Sequence, residues 1–173
     1  QLFVNVPDNE ILNDPYLFST GHERFCTKTT IFLYYLKLLI YPATLVCDYS
    51  FNSIPPKHFT DWEFIGSLLL NITLLVIGIK LCLKRHVLGF AIIFYYTFLL
   101  VVGNVLFDIG TTMSEHLIFH STVGFAIAIA WLMITGLDKL SITSILKKTI
   151  LNSVLLILMI GFGYKVIERN KDW

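Results

Sequence analysis

Four long apolar runs, at residues 62–83, 87–107, 117–137 and 149–167, limit what this chain can fold into. Each is close to the roughly 20 residues that a helix needs to cross a bilayer. The second and third contain no Asp, Glu, Lys or Arg. A water-soluble core of this size could not hide them all without exposing large apolar patches. The chain is 55% hydrophobic and 14% charged, with a mean hydropathy of +0.72, whereas soluble domains run about 25% charged. The expected fold is all-α, a polytopic integral membrane helical bundle. A net charge of +1 gives no reason to expect nucleic acid as a partner. Membrane lipids are the first partner expected.

Taken in order, residues 1–28 form a mixed polar segment punctuated by Pro7, Asn13-Asp14-Pro15 and Gly21. Residues 29–47 hold an apolar run from Ile31 to Val46, interrupted by Lys37 and Pro42. Proline breaks helix hydrogen bonding, and broken backbone at membrane depth is tolerated where it lines a cavity. This stretch is therefore expected to be a broken, re-entrant helix, with a tilted span as the alternative. Residues 48–61 read as a loop, with Pro55-Pro56 blocking helix, and the four-span domain follows within 48–173. Gln1 opens an ordinary polar stretch, so the chain is expected to be a fragment or a processed piece. The connections at 80–86 and 138–148 carry Lys80, Lys84, Arg85, Lys139, Lys147 and Lys148, and no Lys or Arg lies between Arg85 and Lys139. The positive-inside rule places both connections in the cytoplasm. The 48–61 loop, the 108–116 loop and the C-terminus then face outward, toward periplasm or ER lumen. Residues 1–28 also face outward if 29–47 is re-entrant. Cys26, Cys47 and Cys82 lack metal or redox spacing; a Cys26–Cys47 disulfide is open if both face an oxidising side. Asn71-Ile72-Thr73 matches a glycosylation sequon, but it sits mid-span, where no glycan can be attached.

Between the second and third runs lies FDIGTTMSEHLIFHSTVG, residues 107–124, which holds Asp108, Glu115, His116 and His120 and no Lys or Arg. The surrounding sequence resembles the transmembrane, tetratricopeptide-repeat-containing glycosyltransferase-like (TMTC-like) family of the C-type glycosyltransferase (GT-C) superfamily. The residues carrying the resemblance are Gly103-Asn104, Phe107, Ile109-Gly110, Met113, Glu115, Phe119, Thr122 and Gly124. Upstream, Tyr35, Lys37, Pro42, Asp48-Tyr49 and Ile54-Pro55 match in the same order. Downstream, ERNKDW at 168–173 resembles the linker into the family's repeats. His116 stands where the family has Arg, and Ser121 where it has Pro. The resemblance implies the C-terminal part of a membrane domain without the repeats and without the usual acidic catalytic loop. It implies an O-mannosyltransferase-like activity that moves a sugar from a polyprenyl-phosphate carrier to a protein on the outer or lumenal face. It also implies a lipid-linked sugar, and other protein chains or a missing N-terminal half, as partners. The membrane would be a bacterial inner membrane or the ER.

Such a transfer needs a cation or metal to stabilise the departing phosphate, and a carboxylate to activate the acceptor hydroxyl. The candidate lipid-phosphate and substrate residues are Lys37, Arg24, Glu115, His116, Asp48 and Asp108. Lys37 leads because an ionisable group inside an apolar run is a functional candidate by default; its plain alternative is snorkelling to the interface. Glu115 could orient His116 or hold a metal, or could simply favour the start of the next helix. Asp48 and Asp108 could equally mark solvated loop edges, and Arg24 an interfacial anchor. His116 and His120 lie i, i+4 and would share a face on an early-starting helix. Two histidines without a third ligand do not define a metal site; a divalent metal is left open and no cofactor is assigned. Asn104 is expected to bond between helices, and Gly124-xxx-Ala128 to mark close helix packing. Two function classes stay open: part of a membrane glycosyltransferase, or a non-catalytic membrane subunit or scaffold that retains the fold. A transporter or channel fits less well, because the spans carry almost no charge pairs.

Overall fold

The computed structural model describes residues 16, 19–42, 48–49, 54–106 and 110–170. Within them the chain is helical: α1 Gly21–Ile40, α2 Trp62–Leu83, α3 Val87–Val102, α4 Phe119–Asp138 and α5 Ser144–Arg169. Two short pieces, β1 Asp48–Tyr49 and β2 Met113–Ser114, form one antiparallel pairing. Among the described residues α2, α4 and α5 are long and apolar enough to cross a membrane. The architecture is that of an all-α membrane helical bundle.

Local sequence accounts for the helix ends. The Thr20 hydroxyl accepts from the Glu23 N–H at 3.4 Å, and the Glu23 carboxylate accepts from the Thr20 N–H at 2.7 Å. This reciprocal cap starts α1 at Gly21, inside the segment expected to be polar loop. α1 runs uninterrupted through Lys37 and stops at Ile40, with Tyr41 extended. A residue preceding proline is pushed out of helical geometry, and Pro42 follows Tyr41. α3 ends at Val102, short of residue 107, and Asn104 then adopts a left-handed φ of 58°. Between α2 and α3 the turn is tight. Arg85 has a φ of 55°, and a Cβ on Gly89 would lie 2.2 Å from the Cys82 nitrogen. Only glycine allows so close a backbone approach.

The chain divides into two compact units, Gln1–Ala126 and Ile127–Trp173. In the first, α1 lies against one end of the α2–α3 hairpin. Phe25 meets Phe64 edge-on, the Ser67 hydroxyl donates to the Thr29 carbonyl, and Phe32 closes over Gly103. The core beneath that end is Ile31, Tyr35, Tyr95, Tyr96, Leu99, Met113 and Ile118. A line of polar bonds crosses the helices. The Asn71 amide donates to the Ser67 carbonyl at 2.7 Å, and the Tyr96 hydroxyl donates to Asn71 Oδ1 at 2.7 Å. Asn71 is thus used inside the bundle. The start of α4 joins this unit through Gly124, where a Cβ would lie 2.6 Å from the Ala91 carbonyl oxygen. In the second unit, Lys147 pairs with Asp138 at 3.2 Å, and no described residue of α5 is buried. A helix apolar all round belongs in lipid or among other helices.

Candidate functional site

A polar rim forms where two segments distant in sequence meet. β1 and β2 set Asp48 opposite Ser114 and Tyr49 opposite Met113. Tyr35 of α1 pins the second segment from below. Its buried hydroxyl accepts from the Ser114 N–H at 3.1 Å and donates to the Ser114 carbonyl at 3.3 Å. Asn104 holds the other limb of the loop, donating to the Thr111 carbonyl at 2.7 Å and the Thr112 carbonyl at 3.4 Å. Gly110, with φ 76°, supplies the left-handed turn between them. Next along the chain, Ser114 Oγ and His116 Nδ1 are 2.7 Å apart. Burial pushes the Tyr49 hydroxyl above its ordinary pKa, and the nearby Glu115 charge adds to the rise. The rim thus joins a carboxylate, an imidazole, a serine hydroxyl and a phenol on one small, backbone-anchored patch.

Of the residues singled out from sequence, the structure gathers Glu115, His116 and the Asp48 backbone. Asp108 lies outside the described residues. Lys37 is exposed and two positions beyond Tyr35, about 200° around a helix, so it faces away from the rim. It opens instead onto a cavity of about 310 Å³ between α1 and α2, lined by Leu36, Ile40, Trp62, Glu63 and Leu70 among others. Arg24 donates to the Ser19 carbonyl at 3.3 Å and the Tyr16 carbonyl at 2.9 Å. The two histidines do not act as a pair: His116 precedes α4 and meets Ser114, while the His120 ring stacks on Phe98 at 5.4 Å. Asn104, expected to bond between helices, donates into its own loop, to the Thr111 carbonyl. Cys26 is a buried free thiol, and Cys47 lies outside the described residues.

Sequence reasoning passed over a second polar cluster. Glu63, in the first turn of α2, accepts from the Tyr34 hydroxyl at 2.8 Å and pairs with Lys57. That bond holds the Lys57 ammonium above its ordinary pKa. The Lys57 N–H also donates to the Thr27 hydroxyl at 2.9 Å, tying the loop to α1. The signal was an acid at the head of an apolar run with a lysine six residues upstream. Tyr35 was also missed as a support, because its partner lies 79 residues away.

Comparison with known proteins bears on the same residues. A family described as Protein O-mannosyl-transferase TMTC, DUF1736, matches residues 5–75. Protein O-mannosyl-transferase Tmtc3 of Drosophila melanogaster is 26% identical over 155 residues, covering 82% of this chain and 16% of that protein. Protein O-mannosyl-transferase TMTC1 of Mus musculus is 23% identical over 177 residues, covering 96% of this chain and 18% of that protein. The chain is similar to TMTC proteins. The chain spans between 16% and 18% of the length of these relatives. The family match takes in Arg24, Lys37 and Asp48, and ends within α2. No solved structure matches the chain.

Proposed function

We propose that this chain is part of a GT-C-type membrane glycosyltransferase. In this reading the enzyme moves a sugar from a polyprenyl-phosphate carrier to a protein acceptor on the outer or lumenal face. The observation that carries it is the rim, where β1 and β2 bring Asp48 and Tyr49 beside Ser114, Glu115 and His116. The names of the relatives support a mannosyl donor and a protein acceptor. On the rim, the His116 ring meets the carrier phosphate through its free nitrogen, and Ser114 Oγ fixes the ring through Nδ1. Glu115 orients the acceptor hydroxyl or the sugar. Tyr35 and Asn104 hold this patch in place through backbone bonds. The basic connections at 80–86 and 138–148 put the opposite side of the membrane in the cytoplasm. In an ER membrane the rim then faces the lumen.

The test uses the whole protein that contains this chain, in membranes supplied with polyprenyl-phosphate mannose and an acceptor protein. Glu115→Gln and His116→Ala are each expected to lower mannosyl transfer about tenfold or more, in line with the loss of one positioned acid–base group. The His116 change is expected to act mainly on the KM for the donor. Full transfer by both variants, at unchanged expression and thermal midpoint, would leave the scaffold reading in its place.

A further inference from the structure

We infer that the cleft between α1 and α2 holds one anionic phospholipid of the surrounding bilayer, with its phosphate on the Lys37 ammonium and an acyl chain along the cleft. This site is separate from the donor site proposed at the rim and does not depend on it. Lys37 is exposed, and among the described residues no carboxylate pairs with it. Glu63 is the one acid lining the cleft, and it is already engaged by Lys57 and by the Tyr34 hydroxyl. The positive charge of Lys37 is therefore left for a ligand. Leu36, Ile40 and Leu70 give the rest of the cleft an apolar wall suited to a hydrocarbon chain. Depth is marked by two aromatic residues at its edge, Tyr41 at 70% exposed and Trp62 at 78% exposed. Exposed Trp and Tyr at helix ends sit at the level of lipid headgroups. A lysine one turn from Tyr41 reaches that level by snorkelling. At that level the Lys37 charge itself attracts an anionic headgroup more strongly than a net-neutral one. Charge complementarity thus selects an anionic lipid over a zwitterionic one. The placement of Lys37 on the far side of α1 from Tyr35 keeps it off the rim.

The experiment purifies the whole protein in mild detergent and measures retained lipid by native mass spectrometry. Thermal midpoints are then compared in nanodiscs of phosphatidylcholine with and without phosphatidylserine. The intact protein is expected to keep one phosphatidylserine-class lipid and to melt a few degrees higher when that lipid is present. Lys37→Gln should lower retention about tenfold, and Lys37→Arg should keep it. Leu70→Trp, which fills the cleft while leaving Lys37 in place, should also expel the lipid. Equal retention in Lys37→Gln or Leu70→Trp, equal retention of phosphatidylcholine, or a lipid-linked sugar as the retained species would each overturn the proposal.

Discussion

The hairpin end around Tyr35 and the helix α5 use similar composition in opposite ways. At the hairpin end, side chains fill the space between helices, and most polar groups meet a protein partner. Asn71 bonds Tyr96 and Ser67, Tyr35 bonds Ser114, and Glu63 bonds Tyr34 and Lys57. Along α5, by contrast, Ile157, Met159 and Ile160 are each more than 60% exposed, and no described residue is buried. Hydropathy treats the two alike. Small residues, polar side chains and aromatics separate them, because within a membrane apolar surface alone gives helices no reason to associate. Where close packing and hydrogen bonds occur, protein holds the helix; where they do not, lipid or other helices must.

The comparison breaks most sharply at glycine. Gly89→Val places atoms within 2.2 Å of the Cys82 backbone, and Gly124→Leu drives into the Ala91 carbonyl at 2.6 Å. Backbone cannot give way as a flexible side chain can, so each is expected to cost about 3 kcal/mol or more. A thermal scan of the whole protein in detergent would show loss of the folded fraction. A normal midpoint for either would mean that these helices are not in contact. The next effect is that of Tyr35→Phe, which keeps the ring but leaves the Ser114 N–H and carbonyl without the hydroxyl. An unsatisfied buried group costs about 1–3 kcal/mol. Hydrogen exchange at residues 113–116 should quicken while exchange along α5 stays the same.

The membrane helical class was legible because charge-free runs of this length admit few other folds. The polar stretch at 107–124 stands out because its acids and histidines interrupt greasy surroundings, and the structure brings its Glu115 and His116 to the rim. The Thr20–Glu23 cap was also present in the sequence as Thr-x-x-Glu ahead of an apolar run, though it was not used to place α1. What could not be read was pairing at a distance. Nothing local to Tyr35 indicates Ser114, and nothing local to Asp48 indicates which residue it faces. The direction of Lys37 was equally hidden, since it depends on which face of α1 meets the hairpin. A periodic pattern would have revealed that face, but α1 mixes threonine, lysine and tyrosine with its apolar residues.

Two smaller effects sharpen the contrast within the first unit. Asn71→Leu removes the acceptor for Tyr96 and the donor to Ser67. Interhelical polar bonds in membranes average about 0.6 kcal/mol and reach nearly 2. The expected loss is therefore about 1 kcal/mol, seen as a modest drop in thermal midpoint. The Lys57–Glu63 pair gives a pH signature. Because the pair raises the lysine pKa in the folded state, its stabilisation is fully present below the ordinary lysine value of 10.5 and is lost as pH rises through the higher folded value. Stability measured from pH 8 upward should therefore fall only at the alkaline end, and Lys57→Met should flatten that fall. An unchanged alkaline slope in Lys57→Met would remove the pair from the account.

The smallest effect is expected where the structure offers no neighbour at all. A Cβ added at Gly161 or Gly163 meets nothing within 4 Å, in contrast to Gly89 and Gly124. Both lie inside α5, where glycine disfavours helix by about 1 kcal/mol relative to alanine. Gly161→Ala is therefore expected to be neutral or stabilising by up to about 1 kcal/mol in the isolated chain. The same substitution measured in the whole protein is the sharper form of the test. If α5 faces only lipid there, the result stays neutral. A loss of 1 kcal/mol or more would place another helix against Gly161, since a methyl group is costly only where something already fills the space. One glycine thus distinguishes a helix held by lipid from one held by other protein.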